Sequence, residues 1–177
     1  MELVFDEIAS PLGPMLAVCR NAALCSLDWS EFADRQRAQL KRRFGDLQWK
    51  HVADPSGISR RVQGYFEGDL NALGDIPVDT GGTPFQNLVW QALRLISPGT
   101  TVSYAELAQR IGRPGSARAV GHANSLNPVC LVLPCHRVVG SDARLVGYAG
   151  GLDRKRWLLN HEWTVRVRHA APLAYHR

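Results

Sequence analysis

The stretch SYAELAQRIGRPGSARAVGHANSLN, residues 103–127, decides how the second half of the chain is read. Ser103 is suited to capping a helix, and Leu107, Ala108 and Ile111 follow at the spacing of one helix face. Gly112-Arg113-Pro114-Gly115 breaks that helix, and Gly115 or Ser116 opens a second one. Two short helices joined by a glycine-containing turn predict a helix-turn-helix over 103–127. The second helix is rich in small residues, Ala117, Ala119, Gly121, Ala123 and Ser125, with Arg118 projecting among them. Small side chains let a backbone approach either a neighbouring helix or a nucleic-acid groove, and both alternatives stay open at this level.

Upstream, Thr83 is a natural N-cap before Pro84, and Pro98-Gly99 is a stop signal. Between them Phe85, Leu88, Val89, Ala92, Leu93 and Ile96 predict the buried stripe of an amphipathic helix. The Gly- and Asp-rich run GDLNALGDIPVDTGG, 68–82, marks a boundary that divides the chain into 1–78 and 79–177. In the first segment LVFDEIA, PMLAVCR and AALCSLDW alternate with turn signals, which predicts an antiparallel meander. Residues 33–44 and 55–67 read as helices, with Tyr65 and Phe66 turned inward. The fold class expected is an α/β N-terminal subdomain around an antiparallel sheet, followed by a mainly α C-terminal subdomain.

Composition narrows the function. At 177 residues, 45% hydrophobic and 21% charged, the chain is an ordinary globular protein rather than a disordered one. Four cysteines at 19, 25, 130 and 135 are too few and too unevenly placed for a disulfide framework. The N-terminus MELVFDEIAS has neither a basic n-region nor a long apolar core, so a cytoplasmic protein with reduced thiols and no membrane partner is expected. Charge is uneven: residues 1–98 carry 10 Lys and Arg against 12 Asp and Glu, whereas 99–177 carry 11 against 4. Nearly all the basic residues of the second segment are arginines, whose planar fork binds two phosphate oxygens at once. An ordinary basic surface would give the same count.

Downstream lies LVLPCHRVVG, 131–140. Leu131-Val132-Leu133 predicts a buried strand, and Pro134 ends or bends it. A zinc site is disfavoured, because Cys130, Cys135 and His136 give a C-x4-C-H spacing that matches no common structural site. Cys19, Cys25 and Cys130 read as buried core thiols. Cys135 reads as a nucleophile, since a turn after Pro134 would let His136 act as its base, directly or through one water. Glu106, Asp142, Asp153 and Glu162 are candidate partners for that histidine, and spacing does not choose among them.

PCHRV at 134–138, GYAGG at 147–151 and KRWLLNHE at 155–162 resemble the active-site half of the O6-alkylguanine-DNA alkyltransferases, the methylated-DNA–protein-cysteine methyltransferases. The resemblance extends back through GTPFQNLVWQAL, SYAELA, GRPGSARAVGHAN and Asn127-Pro128, covering about the last hundred residues. It implies a ribonuclease H-like N-terminal subdomain and a winged helix-turn-helix C-terminal one. It also implies DNA repair by irreversible, single-use transfer of an alkyl group from O6-alkylguanine to Cys135, with O4-alkylthymine as a further candidate substrate. His136 would draw the thiol proton through water, and Glu162 would be its carboxylate partner. Asn127 would hold the turn before the active site, and Tyr104 would donate a proton toward N3 of the leaving guanine.

The same resemblance places the alkylguanine pocket at Gly147, Tyr148, Ala149 and Gly150, with the Ala149 N–H near the base oxygen and the Val138 carbonyl near the exocyclic amine. Arg118 would fill the duplex when the base rotates out, because a thiol fixed in a protein cannot reach O6 within the stack. Ser103, Ser116, Ala117, Ala119 and Gly121 would lie along the minor groove of double-stranded DNA. Arg137 would lock local structure. A monomer needing no cofactor and no metal is implied. Trp163 stands where the family commonly has glycine, and the tail to residue 177 has no clear counterpart. Two other readings are a non-catalytic alkyl-lesion recognition protein and a helix-turn-helix regulator, with a cysteine hydrolase more distant. The presence of Cys135 argues against the first, and the small residues of 117–125 argue against the second.

Overall fold

The computed structural model describes residues 2–170. Strands β1 (Glu2–Ile8), β2 (Met15–Arg20) and β3 (Ala23–Trp29) form the expected antiparallel meander. Helix α1 (Ala33–Phe44) then returns the chain to β4 (Gln48–His51), which pairs parallel to β1. The sheet order is β3-β2-β1-β4, so the sheet is mixed rather than wholly antiparallel. This is the ribonuclease H-like arrangement. The parallel strand QWKH is short and largely exposed, and carries no alternating apolar signal that would have announced it. Helix α2 (Ile58–Phe66) covers the sheet, with Tyr65 fully buried and Phe66 packed at its edge.

The second half is mainly helical: α3 (Pro84–Arg94), α4 (Tyr104–Arg110), α5 (Ala117–Ser125) and α6 (Leu152–Ala170). Capping boxes start α3 at Thr83 with Gln86 and α4 at Ser103 with Glu106, satisfying orphan N–H groups at both ends of each motif. The buried face of α3 is rotated from the expected stripe. Leu88 is 40% exposed, while Trp90 is buried and donates its indole N–H to the Ala123 carbonyl at 2.9 Å. That bond allows a large side chain with a polar edge to sit inside, and the small Ala123 gives it room.

The strand expected at 131–133 does not form. The residues are buried, but Leu131 has φ 68° and the segment is a series of turns. Asn127 explains this: its Oδ1 accepts from Val129 N at 2.9 Å and its Nδ2 donates to Leu133 O at 2.7 Å, closing a compact loop. Proline at 128 and 134 removes two donors that a ladder would need. Among the described residues the only strand after this loop is β6 (Val138–Val139), paired parallel with β5 (Val102–Ser103).

One hydrophobic cluster draws on both sides of residues 78 and 79, from Ile8 and Leu27 to Leu107 and Leu158. Backbone pairing crosses as well, since the edge of β3 bonds to Pro77, Asp79, Pro128 and Cys130. Helix α6 is held against the N-terminal half through Trp157, whose ring lies 5.9 Å from that of Phe66, and through His161, which bonds the Tyr65 carbonyl. It also runs past Glu162 to Ala170, so Trp163 lies on the helix and is exposed; residues 171–177 of the tail lie outside the described residues. Among the described residues no helix is long and apolar enough to cross a membrane.

Candidate active site

Pro134 is followed by a 3-10 turn, Cys135–Arg137, rather than by extended chain. The turn aims the first of three consecutive side chains at a cavity and the next two at a single carboxylate. Cys135, only 4% exposed, forms part of the wall of a cavity of about 260 Å³ with Tyr104, Gly121, Asn124, Ser125, Gly147, Tyr148 and Ala149. His136 is fully buried and its Nε2 lies 2.7 Å from Glu162 Oε1. Arg137 reaches the same carboxylate with Nε and Nη2 and donates Nη1 to the Ile96 carbonyl at 2.6 Å.

Glu162 is therefore saturated. Besides His136 and Arg137 it accepts from the Tyr65 hydroxyl at 2.8 Å and from the Gly99 backbone N–H at 3.0 Å. Burial alone would raise its carboxyl, but His136 and Arg137 hold it well below the usual carboxylate range. Of the four carboxylates named from sequence, Glu162 is the one joined to His136. Burial, with Arg137 and Lys155 adding positive charge, pushes the His136 imidazole down against the pull of Glu162, which keeps the ring neutral. Its Nδ1 is buried without a protein hydrogen-bond partner among the described residues. With Nε2–H donating to Glu162, that nitrogen presents a lone pair.

Cys135 ionises more readily than an ordinary thiol. A hydrogen bond from Cys130 contributes most, and the Asn127 side chain and the Lys155 charge also favour the thiolate against the cost of burial. Lys155 is fully buried and donates Nζ to the carbonyls of Val138 at 2.6 Å, Val146 at 2.9 Å and Gly147 at 3.2 Å. Burial lowers its pKa to about 8. The Val138 carbonyl is thus already engaged by Lys155, and Val138 itself is buried and is not among the residues lining the cavity.

The loop 147–151 is shaped by glycine. A methyl on Gly150 would lie 2.5 Å from the Trp29 ring and 2.9 Å from that of Tyr148, so only glycine fits between them. Trp29 meets Tyr148 edge-on at 6.0 Å and braces that wall. Tyr104 donates its hydroxyl to the Val146 carbonyl at 3.2 Å, and burial raises its pKa, so it stays protonated at neutral pH. Gly121 faces the Tyr104 ring, leaving space where a larger residue would crowd it. On α5, Val120, Ala123 and Asn124 are buried, while Arg118 and Ala119 are exposed and Ala117 and Ser116 half-buried. Ser103 is engaged in its capping box.

A methylated-DNA–protein-cysteine methyltransferase of Salmonella typhimurium is 44% identical over 165 residues, 92% of this chain and 96% of the relative. The chain belongs to the methylated-DNA–protein-cysteine methyltransferase family. A model of the 6-O-methylguanine DNA methyltransferase DNA-binding domain matches residues 84–164. The crystal structure of Mycobacterium tuberculosis O6-methylguanine methyltransferase superposes with TM-score 0.76 at 35% identity, covering 97% of this chain and 96% of that one. The structure of Mycobacterium tuberculosis OGT in complex with DNA gives 0.75 at 36%, covering 93% and 94%.

Several residues at this member's site were not singled out from its sequence. Lys155 sits in KRWLLNHE, where a lysine in the first turns of a helix reads as solvated. Asn124, whose Nδ2 donates to the Cys135 carbonyl at 3.3 Å, was passed over among its small neighbours. Tyr65 and Asp28 come from the first segment, 97 residues from Glu162 and 102 from Cys130, a separation at which spacing carries no signal.

Proposed function

We propose that this protein repairs alkylated double-stranded DNA by moving the alkyl group of O6-alkylguanine onto its own Cys135. The observation that carries this reading is a thiol with thiolate character in the wall of a cavity bounded by two tyrosines and small residues. A flat base fits between Tyr148 and the Tyr104–Gly121 side, and Cys135 is positioned to meet what projects from its edge. His136 Nδ1 takes the thiol proton through a water molecule, and Glu162 holds the ring in the tautomer that allows it. The thiolate attacks the alkyl carbon, the C–S bond forms and the C–O bond breaks. Tyr104, still protonated, supplies a proton toward N3 of the departing guanine and limits the negative charge that would develop there.

Asn127 fixes the loop that leads into the 3-10 turn, and Lys155 holds the 146–147 backbone against β6 while its charge favours the thiolate. Gly147, Tyr148, Ala149 and Gly150 shape the pocket, with the Ala149 N–H as its polar reader, while the Val138 carbonyl is engaged by Lys155. The base must leave the stack to enter, and the exposed Arg118 on α5 takes its place in the duplex. Ser116, Ala117, Ala119 and Gly121 let that helix sit in the minor groove, with Ser103 at the start of α4 beside it. The protein works as a monomer in the cytoplasm without a cofactor. Residues 79–177 bind DNA and react, while 1–78 buttress the site.

A thioether is a poor leaving group, so each chain acts once. Titration of a duplex carrying O6-methylguanine should therefore plateau at one lesion repaired per protein chain. Continued repair beyond that ratio would overturn the reading.

A further inference from the structure

Cys130 has no task in alkyl transfer, yet the fold places it with care. Leu27 N donates to Pro128 O at 3.0 Å and Cys130 N donates to Leu27 O at 2.9 Å, which pins the segment along the edge of β3. The Cys130 thiol thereby meets the next β3 residue, with Sγ 3.8 Å from Asp28 Oδ1. Asp28 is itself fixed by Trp29 N on Oδ1 at 2.9 Å and by Arg35 on Oδ2 at 2.6 Å. The chain then reverses at Leu131, where φ is 68°, and Val132 N donates to Cys130 O at 2.8 Å. The reversal returns the chain so that Cys135 shares one buried cluster with Cys130, whose thiol favours the Cys135 thiolate. Two buried thiols and one buried carboxylate thus stand in a row, and one of those thiols borders the cavity.

We propose that Cys130 is a resolving thiol, which captures Cys135 as a Cys130–Cys135 disulfide after a peroxide has oxidised it. The Cys135 thiolate attacks a peroxide oxygen, the O–O bond breaks, and Cys135 becomes a sulfenic acid with release of hydroxide or an alcohol. The Cys130 sulfur then attacks the Cys135 sulfur, the S–O bond breaks and the S–S bond forms. The Cys130 proton passes to Asp28 and leaves with the departing hydroxide as water. The two thiols together give two electrons to the peroxide. A thiol reductant reverses the disulfide, whereas an unresolved sulfenic acid advances to sulfinic acid, which such reductants do not reverse. A single-use acceptor is thereby kept recoverable.

The other cysteines supply an internal contrast. Burial raises Cys19 to about 12 and Cys25 to about 11 and pushes Cys130 up as well, so Cys135 is the one thiol of the four that is lowered and the one a peroxide oxidises first. The proposal needs only an oxidisable Cys135 and stands apart from alkyl transfer. A disulfide that forms in a protein unable to take methyl from DNA would sink the transfer reading and leave this one intact.

The test uses the full chain, reduced, freed of reductant and treated with hydrogen peroxide, then alkylated and digested with trypsin. The peptide Ala119–Arg137 contains both cysteines. It should become two hydrogens lighter, Cys19 and Cys25 should remain alkylatable, and dithiothreitol should restore the mass. In Cys130→Ser and Cys130→Ala the same peptide should instead gain two oxygens that dithiothreitol does not remove. The wild-type masses decide the matter even where a variant folds poorly. Sulfinic Cys135 beside an alkylatable Cys130, an unoxidised Cys135, or a Cys135 disulfide to any other thiol would overturn the proposal.

Discussion

Tyr65 of α2 donates its hydroxyl to Glu162 of α6 at 2.8 Å, although 97 residues separate them. Through this contact the N-terminal half touches the carboxylate that orients His136. Both groups are fully buried, so the bond is made away from competing water. The first 78 residues are therefore part of the site's scaffold rather than an appendage to it.

Removing the hydroxyl alone and removing the carboxylate charge should differ in size. Tyr65→Phe deletes one hydrogen bond to a charged group, a loss of about 1.5–3 kcal/mol. Glu162→Gln strands the buried Arg137 charge, for which about 3–5 kcal/mol is expected. Single-turnover transfer should slow in both and more in Glu162→Gln. Urea denaturation of the two variants checks the order, and equal stabilities would contradict it.

Acid should destabilise the protein in two stages. His136 is held below its ordinary 6.5 by burial, so the unfolded chain binds that proton more readily than the folded one. Its contribution is whole above 6.5 and shrinks as pH falls toward the folded value. Glu162, held below its ordinary 4.5 by His136 and Arg137, adds a second loss as pH drops below that value. Denaturation midpoints at pH 7, 5.5 and 4 should fall in that order. A more stable protein at pH 5.5 than at pH 7 would refute the assignment of these groups.

Gly150→Ala should damage the pocket without touching a reactive group. Its methyl would press on Trp29 and Tyr148, and overpacking of this kind costs about 1–3 kcal/mol. Transfer from an alkylated duplex should fall as Tyr148 is displaced. An alanine variant with wild-type transfer and stability would mean that the loop relaxes freely.

Arg118→Ala tests base rotation. Arg118 is exposed, so stability should change by no more than about 0.5 kcal/mol. Transfer from duplex O6-methylguanine should drop, while reaction with free O6-benzylguanine should be unaffected. A parallel loss with both substrates would place Arg118 in the chemistry rather than in the duplex.

Much of this could be read from the residues because the signals were local. Capping side chains at Thr83 and Ser103, the Gly-Arg-Pro-Gly break and the small residues of 117–125 each act within a few positions, and α3, α4 and α5 begin where those residues stand. The segment 131–133 misled, because its apolar run reads as a strand while the Asn127 side chain folds it into turns. Leu88 misled as well, since helical period alone does not know that Ala123 offers Trp90 a carbonyl. Lys155, Tyr65 and Asp28 were missed for a different reason. Their roles arise from burial and from contacts between distant segments, which only the folded chain brings about.

The most direct measurement is peptide mass analysis after mixing the protein with a duplex containing one O6-methylguanine. The account predicts a single methyl on peptide Ala119–Arg137, located at Cys135 by fragmentation and absent from Cys135→Ala. An unmodified Cys135 in a protein that still binds the lesion tightly would contradict it and leave a recognition protein in its place.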